Sequence, residues 1–160
     1  VNIFVLDRDP KKCATYHNNS HVVKMITESA QMLSTAVRIS GIDIGYRITH
    51  INHPCTVWVR KSKSNWLWLR EMVEHLHDEW KYRYDHTNNH KAYDIILTLP
   101  IPNLPDIGLT SFALAMPEIY RTDDPVESYR QFYIHDKSHL AKWKKRDIPE
   151  WFHTKIKNLS

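Results

Sequence analysis

A mainly α-helical, single-domain bundle with a short N-terminal strand or extended arm is the fold this sequence predicts, and three observations carry that expectation. Apolar residues recur at steps of three and four over long stretches, which is the period of a helix face. Helix-start chemistry precedes those stretches at Asp9-Pro10, Asn18-Asn19-Ser20, Asn52-His53-Pro54 and Asp124-Pro125, where a side chain can accept an orphan backbone N–H. Glycine is scarce, at 3 of 160 residues, and neither GxGxxG nor GxxxxGK[ST] occurs, which argues against the nucleotide-binding α/β folds. A chain of this length, taken as one domain over residues 1–160, buries a core without disulfide or metal staples.

Each element follows from local chemistry. Asn2 to Asp7 is an apolar run closed by the turn material Asp7-Arg8-Asp9-Pro10, hence a strand or an arm. A short helix from Pro10 reaches about His17. The next runs from His21 to about Ser40, with Val22, Val23, Met25, Ile26, Ala30, Met32, Leu33, Ala36 and Val37 on one apolar arc and Gly41 as its stop. Residues 42–51 read as irregular. Helix resumes at Pro54, is interrupted near Ser62, and continues from Asn65 to Tyr84 on the repeat Trp66, Leu69, Val73, Leu76 and Trp80. His77 is placed on the outer side of that helix, with Arg70, Glu74 and Lys81. Residues 91–99 suit a short helix or a buried strand, and Pro100, Pro102 and Pro105 an extended connection. Thr110 is expected to cap a short helix through Ala115. Asp124 and Glu127 have capping-box spacing, and the helix they start is expected to reach about Trp143.

Composition narrows the function. A net charge of +4 favours polyanionic partners without the excess of a histone. The two cysteines, Cys13 and Cys55, are far apart and read as reduced thiols. No apolar run is long enough to cross a bilayer and no signal-peptide pattern opens the chain, so a soluble, cytoplasmic protein without a membrane partner is expected. HExxH and Cys/His zinc spacings are missing, so no metal or other cofactor is expected; His21, Glu28 and His53 would be the first ligands to suspect. A Ser/His/Asp triad lacks its nucleophile elbow.

Acid–base chemistry fits better. His21, Lys24, Glu28 and Gln31 form a polar stripe along the margin of their helix. Glu79 and Arg83 fall on the inner face of theirs, beside Asn65, and buried charge is costly unless paired or used. Arg130 and Lys137 flank Tyr133 on the inner side of a third helix. In this assembly Glu28 and Glu79 are the candidate general base and electrostatic partner, and His21 or His53 the proton shuttle. Lys24, Gln31, Asn65, Arg83, Arg130, Tyr133 and Lys137 are the candidate substrate and phosphate ligands. The tail from about residue 142 to 160 interleaves basic and aromatic residues, and Lys142, Trp143, Lys144, Lys145 and Arg146 are its candidate nucleic-acid contacts.

The motifs HVVKMxxExAQxLSTA, THxNHPCxxWxRxSxxNxxWL, GLTxFAxAMPExY, DPVExYRxFYIxxK and WKxRxxPxWF span His21 to Phe152. Together they resemble a family of short proteins encoded by tailed phages. The resemblance implies a phage setting, and a protein acting in the host cytoplasm, but carries no activity with it. The residues point to an enzyme acting on a nucleic-acid base or nucleotide, with hydrolysis of an N-glycosidic bond, as in a DNA glycosylase, the leading expectation. The alternatives are a non-catalytic DNA- or RNA-binding protein, a protein that binds a host protein, and an enzyme of small nucleotides.

Overall fold

The structure, a computed structural model, describes residues 1–152 and contains six α-helices among them. They are α1 (Pro10–Tyr16), α2 (Asn19–Ile39), α3 (Pro54–Lys61), α4 (Lys63–Tyr84), α5 (Lys91–Thr98) and α6 (Pro125–Asp136), with single 3-10 turns at Glu118–Tyr120 and Ser138–Leu140. The expected caps form: Asn18 Oδ1 accepts from His21 N at 2.9 Å, His53 Nδ1 from Cys55 N at 3.1 Å, and Asp124 Oδ1 from Val126 N at 3.1 Å. Glu127, however, does not reach back to complete a capping box; it accepts instead from Gln131 at 2.7 Å. Ser62 alone separates α3 from α4, extended at φ −149° and capping α4 through Asn65 N.

Helix α4 is the axis of the bundle, with α1, α2 and α3 packed around it. Trp66, Leu69, Met72, Val73 and Leu76 bury its apolar face against Val22, Met25, Ile26, Leu33 and Val37 on α2 and neighbouring helices. The N-terminal run is an extended arm and pairs with no strand among the described residues. Ile3, Phe4, Val5 and Leu6 are all buried, and side chains satisfy their backbone: Cys13 donates to Phe4 O at 3.1 Å and Arg130 to Leu6 O at 2.9 Å.

Four expectations are corrected. Residues 110–115 are extended, because partners elsewhere take over their backbone groups: Asn65 Oδ1 accepts from Thr110 N at 2.9 Å, Ala115 N donates to the Tyr129 hydroxyl at 3.2 Å, and that hydroxyl donates to Ala113 O at 2.6 Å. Helix α6 stops at Asp136, seven residues short of Trp143, because the following segment docks on α1 and α2; Trp143 Nε1 donates to Tyr16 O and Asn19 N to Lys142 O, both at 2.8 Å. His77 is buried. Its ring stacks on Tyr93 at 3.9 Å, and its Nε2 accepts from His90 N at 3.1 Å, since the turn before α5 folds over it. Val23, placed on the apolar arc of α2, is instead 40% exposed.

The connection from α2 to α3 is irregular, as expected, yet closely held. Gly45 sits there at φ +89°, and a Cβ on it would lie 2.6 Å from Ser34 Oγ and 2.7 Å from Leu99 Cδ2. Gly45→Ala therefore meets both a backbone penalty and a clash, and a loss of about 2 kcal/mol in urea denaturation is expected. An unchanged midpoint would show that this loop does not pack as described.

Candidate active site

Glu28 lies on α2 where the arm brings Val1 alongside. The Val1 nitrogen is 3.1 Å from Glu28 Oε1, and Lys24 Nζ, one turn earlier, is 3.8 Å from Oε2. Glu28 Oε2 is buried and has no hydrogen-bond partner. A buried carboxylate oxygen with unused lone pairs is unfavourable in a purely structural role. Asn2 fixes the approach of the arm: its Nδ2 donates to Ala115 O at 2.8 Å, and its Oδ1 accepts from Ile3 N at 2.7 Å and from the Tyr129 hydroxyl at 3.2 Å. His53, at the start of α3, has its pKa lowered by partial burial and then by the positive charges of Val1 and His50, with Glu28 opposing them. These couplings put His53 in the same electrostatic neighbourhood as Glu28. Ser29 Oγ and Thr56 Oγ1, each adjacent in sequence to this cluster, are also buried without partners.

The other residues singled out from sequence stand elsewhere. His21 is inside the core, stacked on Phe4 at 4.2 Å, with Nδ1 2.7 Å from the Tyr133 hydroxyl, which also accepts from Asn18 N. Tyr133 is thereby a tie between α6 and the start of α2. Glu79 has both oxygens engaged by arginines: Arg83 Nε donates at 3.1 Å, and Arg146 donates at 3.0 and 2.7 Å. Arg83, fully buried, also donates to the carbonyls of His17 at 2.7 Å and Thr15 at 2.8 Å and to Asn19 Oδ1 at 3.2 Å. That group closes the α1–α2 corner onto α4 and shares no partner with Glu28. Asn65 Nδ2 donates to Trp58 O at 2.8 Å and Thr110 Oγ1 at 2.7 Å, so with the Thr110 N–H it is fully occupied in holding the extended segment.

Arg130 binds Leu6 O and, at 3.2 Å, Asp7, beneath the Trp151 ring, and so clamps the end of the arm. Lys137 lies over Phe132 at 5.1 Å. Lys24 is largely exposed, and Gln31 is half-buried one turn beyond Glu28. The basic tail folds back on α4. Trp143 is buried, Lys144 N donates to Asn19 Oδ1, Lys145 Nζ donates to Asp85 at 2.6 Å and to Tyr82 O at 2.8 Å, and Arg146 holds Glu79. Lys142 is exposed, with its carbonyl tied to Asn19. The tail's residues 153–160 lie outside the described ones. Of the four candidate catalytic residues, His21 and Glu79 are engaged elsewhere while His53 and Glu28 share a charge interaction, and no group of three or more His, Cys, Asp or Glu among the described residues is placed to hold a metal.

Burial also sets the protonation of three imidazoles. Desolvation lowers His17 to about 4, His21 to about 3 and His77 to about 4. All three folded values lie below the unfolded value near 6.5, so their share of stability is intact above about pH 6.5 and is lost as pH falls toward 4 and 3. The thermal midpoint is expected to decline steadily from pH 7 to pH 4.5. A flat profile would contradict the neutral, buried assignment.

Sequence reasoning did not find Val1, Asn2 or Tyr129. Its signal was the apolar run Ile3 to Leu6, which had to be buried and so had to carry Val1 and Asn2 into the bundle.

A largely buried carboxylate facing a nitrogen, on a basic helical protein, supplies groups that acid–base chemistry can use. The chain belongs to the pyrimidine dimer DNA glycosylase family, whose profile matches residues 1–92, from the arm through α4 to the start of α5. It is a hydrolase acting on the bases of DNA, and DNA is its partner. Neither the curated proteins nor the solved structures provide a significant match. No helix of the described residues is long and apolar enough to cross a membrane.

Proposed function

We propose that the protein excises a pyrimidine of a photodimer from DNA, with Glu28 and the Val1 nitrogen as the reacting groups. The observation that carries this is the 3.1 Å approach of that nitrogen to Glu28 Oε1, beside a buried Oε2 that accepts no hydrogen bond. With a free amine at Val1, Glu28 accepts its proton and the nitrogen lone pair attacks C1′ of the damaged nucleotide. The N–C1′ bond forms as the C1′–N1 bond breaks; its electron pair goes to the pyrimidine, which takes up a proton and stays tethered to the neighbouring nucleotide through the bonds of the photodimer. Opening of the sugar ring then gives an imine at C1′, and water releases the abasic product. Glu28 stabilises the positive charge that grows on the sugar.

Borohydride present during turnover reduces such an imine and leaves protein covalently joined to DNA. The test compares UV-irradiated with unirradiated duplex, using protein that begins at Val1 and protein with one added residue before it. The expected result is an abasic site, read as alkali-labile strand breakage, and a trapped adduct with irradiated DNA only, both lost on extension. Excision without an adduct would instead assign the attack to a water activated through Glu28 Oε2. No abasic site in irradiated DNA would remove the photodimer assignment.

A further inference from the structure

We propose that the loop between α2 and α3 is a rigid wedge whose Ile48 and Ile51 enter the DNA base stack beside the damaged site. This rests on the excision reading above and adds the element that opens the duplex. Ile44, Ile48 and Ile51 are 38%, 46% and 41% exposed, around the exposed cation Arg47. Three partly exposed isoleucines within eight residues give this loop apolar side chains that a partner can bury. The loop is fastened from below. Arg38 donates to Tyr46 O at 2.7 Å and Gly45 O at 2.6 Å and pairs with Asp43. Arg60 donates to Ile51 O at 2.8 Å, and Thr49 N to Thr35 Oγ1 at 3.3 Å. His50, at φ +48°, turns the chain between the two isoleucines, with His53 N donating to its carbonyl.

Position gives the occupant. Thr35, which holds the loop, is seven residues from Glu28 on α2, hence on the same face and roughly 10 Å along it. His53, at the loop's other end, feels the charges of Val1 and Glu28. A DNA duplex that presents a nucleotide to Glu28 thus meets this loop with its neighbouring base steps. Branched apolar side chains pushed between base steps unstack them, and a wedge transmits force only if its backbone cannot yield. Arg47 supplies the phosphate contact that seats it.

The test uses duplex oligonucleotides with one thymine photodimer and 2-aminopurine in the opposite strand at the lesion. In a Glu28→Gln background, binding is expected to raise 2-aminopurine fluorescence, and Ile48→Ser with Ile51→Ser is expected to abolish the rise while the thermal midpoint stays put. In the otherwise native protein the same pair is expected to lower excision from duplex by about tenfold or more, with most of the loss recovered when the lesion lies opposite a gap. Ile48→Leu with Ile51→Leu is expected to retain the fluorescence rise, so a folding defect in the serine variant leaves the proposal testable. Full unstacking by the serine variant, or none by the parent, overturns it. Failure of the excision reading appears differently, as protein that unstacks bases and leaves every glycosidic bond intact.

Discussion

Glu28→Gln is expected to slow base excision by roughly 10²- to 10⁴-fold while leaving the protein folded and able to bind irradiated DNA. The substitution keeps the size and one hydrogen-bonding oxygen but removes the charge that, in the proposed reaction, accepts a proton from a free Val1 amine and faces the developing sugar cation. Its effect on stability is expected to be about 1–3 kcal/mol, because the exposed Lys24 contributes little but the Val1 partner is buried. Single-turnover excision and a DNA-binding isotherm on the same preparation separate the two effects. Equal loss of binding and excision would mean that Glu28 shapes the site without taking part in the reaction. Wild-type excision by the variant would remove it from the chemistry.

Arg83→Met carries the second large effect, on stability. The guanidinium is fully buried, and its removal leaves the carbonyls of Thr15 and His17 without a donor and withdraws one of the two arginines from Glu79. Breaking such a pair costs about 3–5 kcal/mol, mostly through the uncompensated groups left behind. For a chain of this size that corresponds to a fall in Tm of roughly 10 °C. Pairing it with Glu79→Gln should cost less than the sum of the two single changes, since the residues share one network. Below the melting transition, excision by the folded fraction is expected to match wild type. A large specific loss of excision at low temperature would return Glu79 and Arg83 to the reaction, where the sequence first suggested them.

That suggestion shows how far local pattern reaches. Helical phase correctly put Glu79 and Arg83 on an inner face, because the phase of a residue on its own helix is a local property. The phase does not say what waits on the other side. Arg146 arrives from a segment sixty-seven residues away and fills the second half of the Glu79 carboxylate, which turns an apparent pocket into a clasp. The tail misled for the same reason: Lys144, Lys145 and Arg146 look free in sequence but have partners at the end of α4. Thr110 and the stretch after α6 failed as helices because side chains of Asn65, Tyr129 and Trp143 supply bonds that outweigh weak local propensity.

By itself, the sequence determined the helical class, the cap and end of α2, the end of α4, and the apolar faces that build the core, since all of these depend on residues a turn or two apart. It also placed Glu28 on a polar margin with Lys24 one turn away. Only the tertiary structure decided which of four acid–base candidates had company. The burial of Ile3 to Leu6 carries Val1 across the surface of α2 to Glu28, while the aromatic core encloses His21 and two arginines occupy Glu79. Such convergence depends on how the whole chain packs, and no short window of residues contains it.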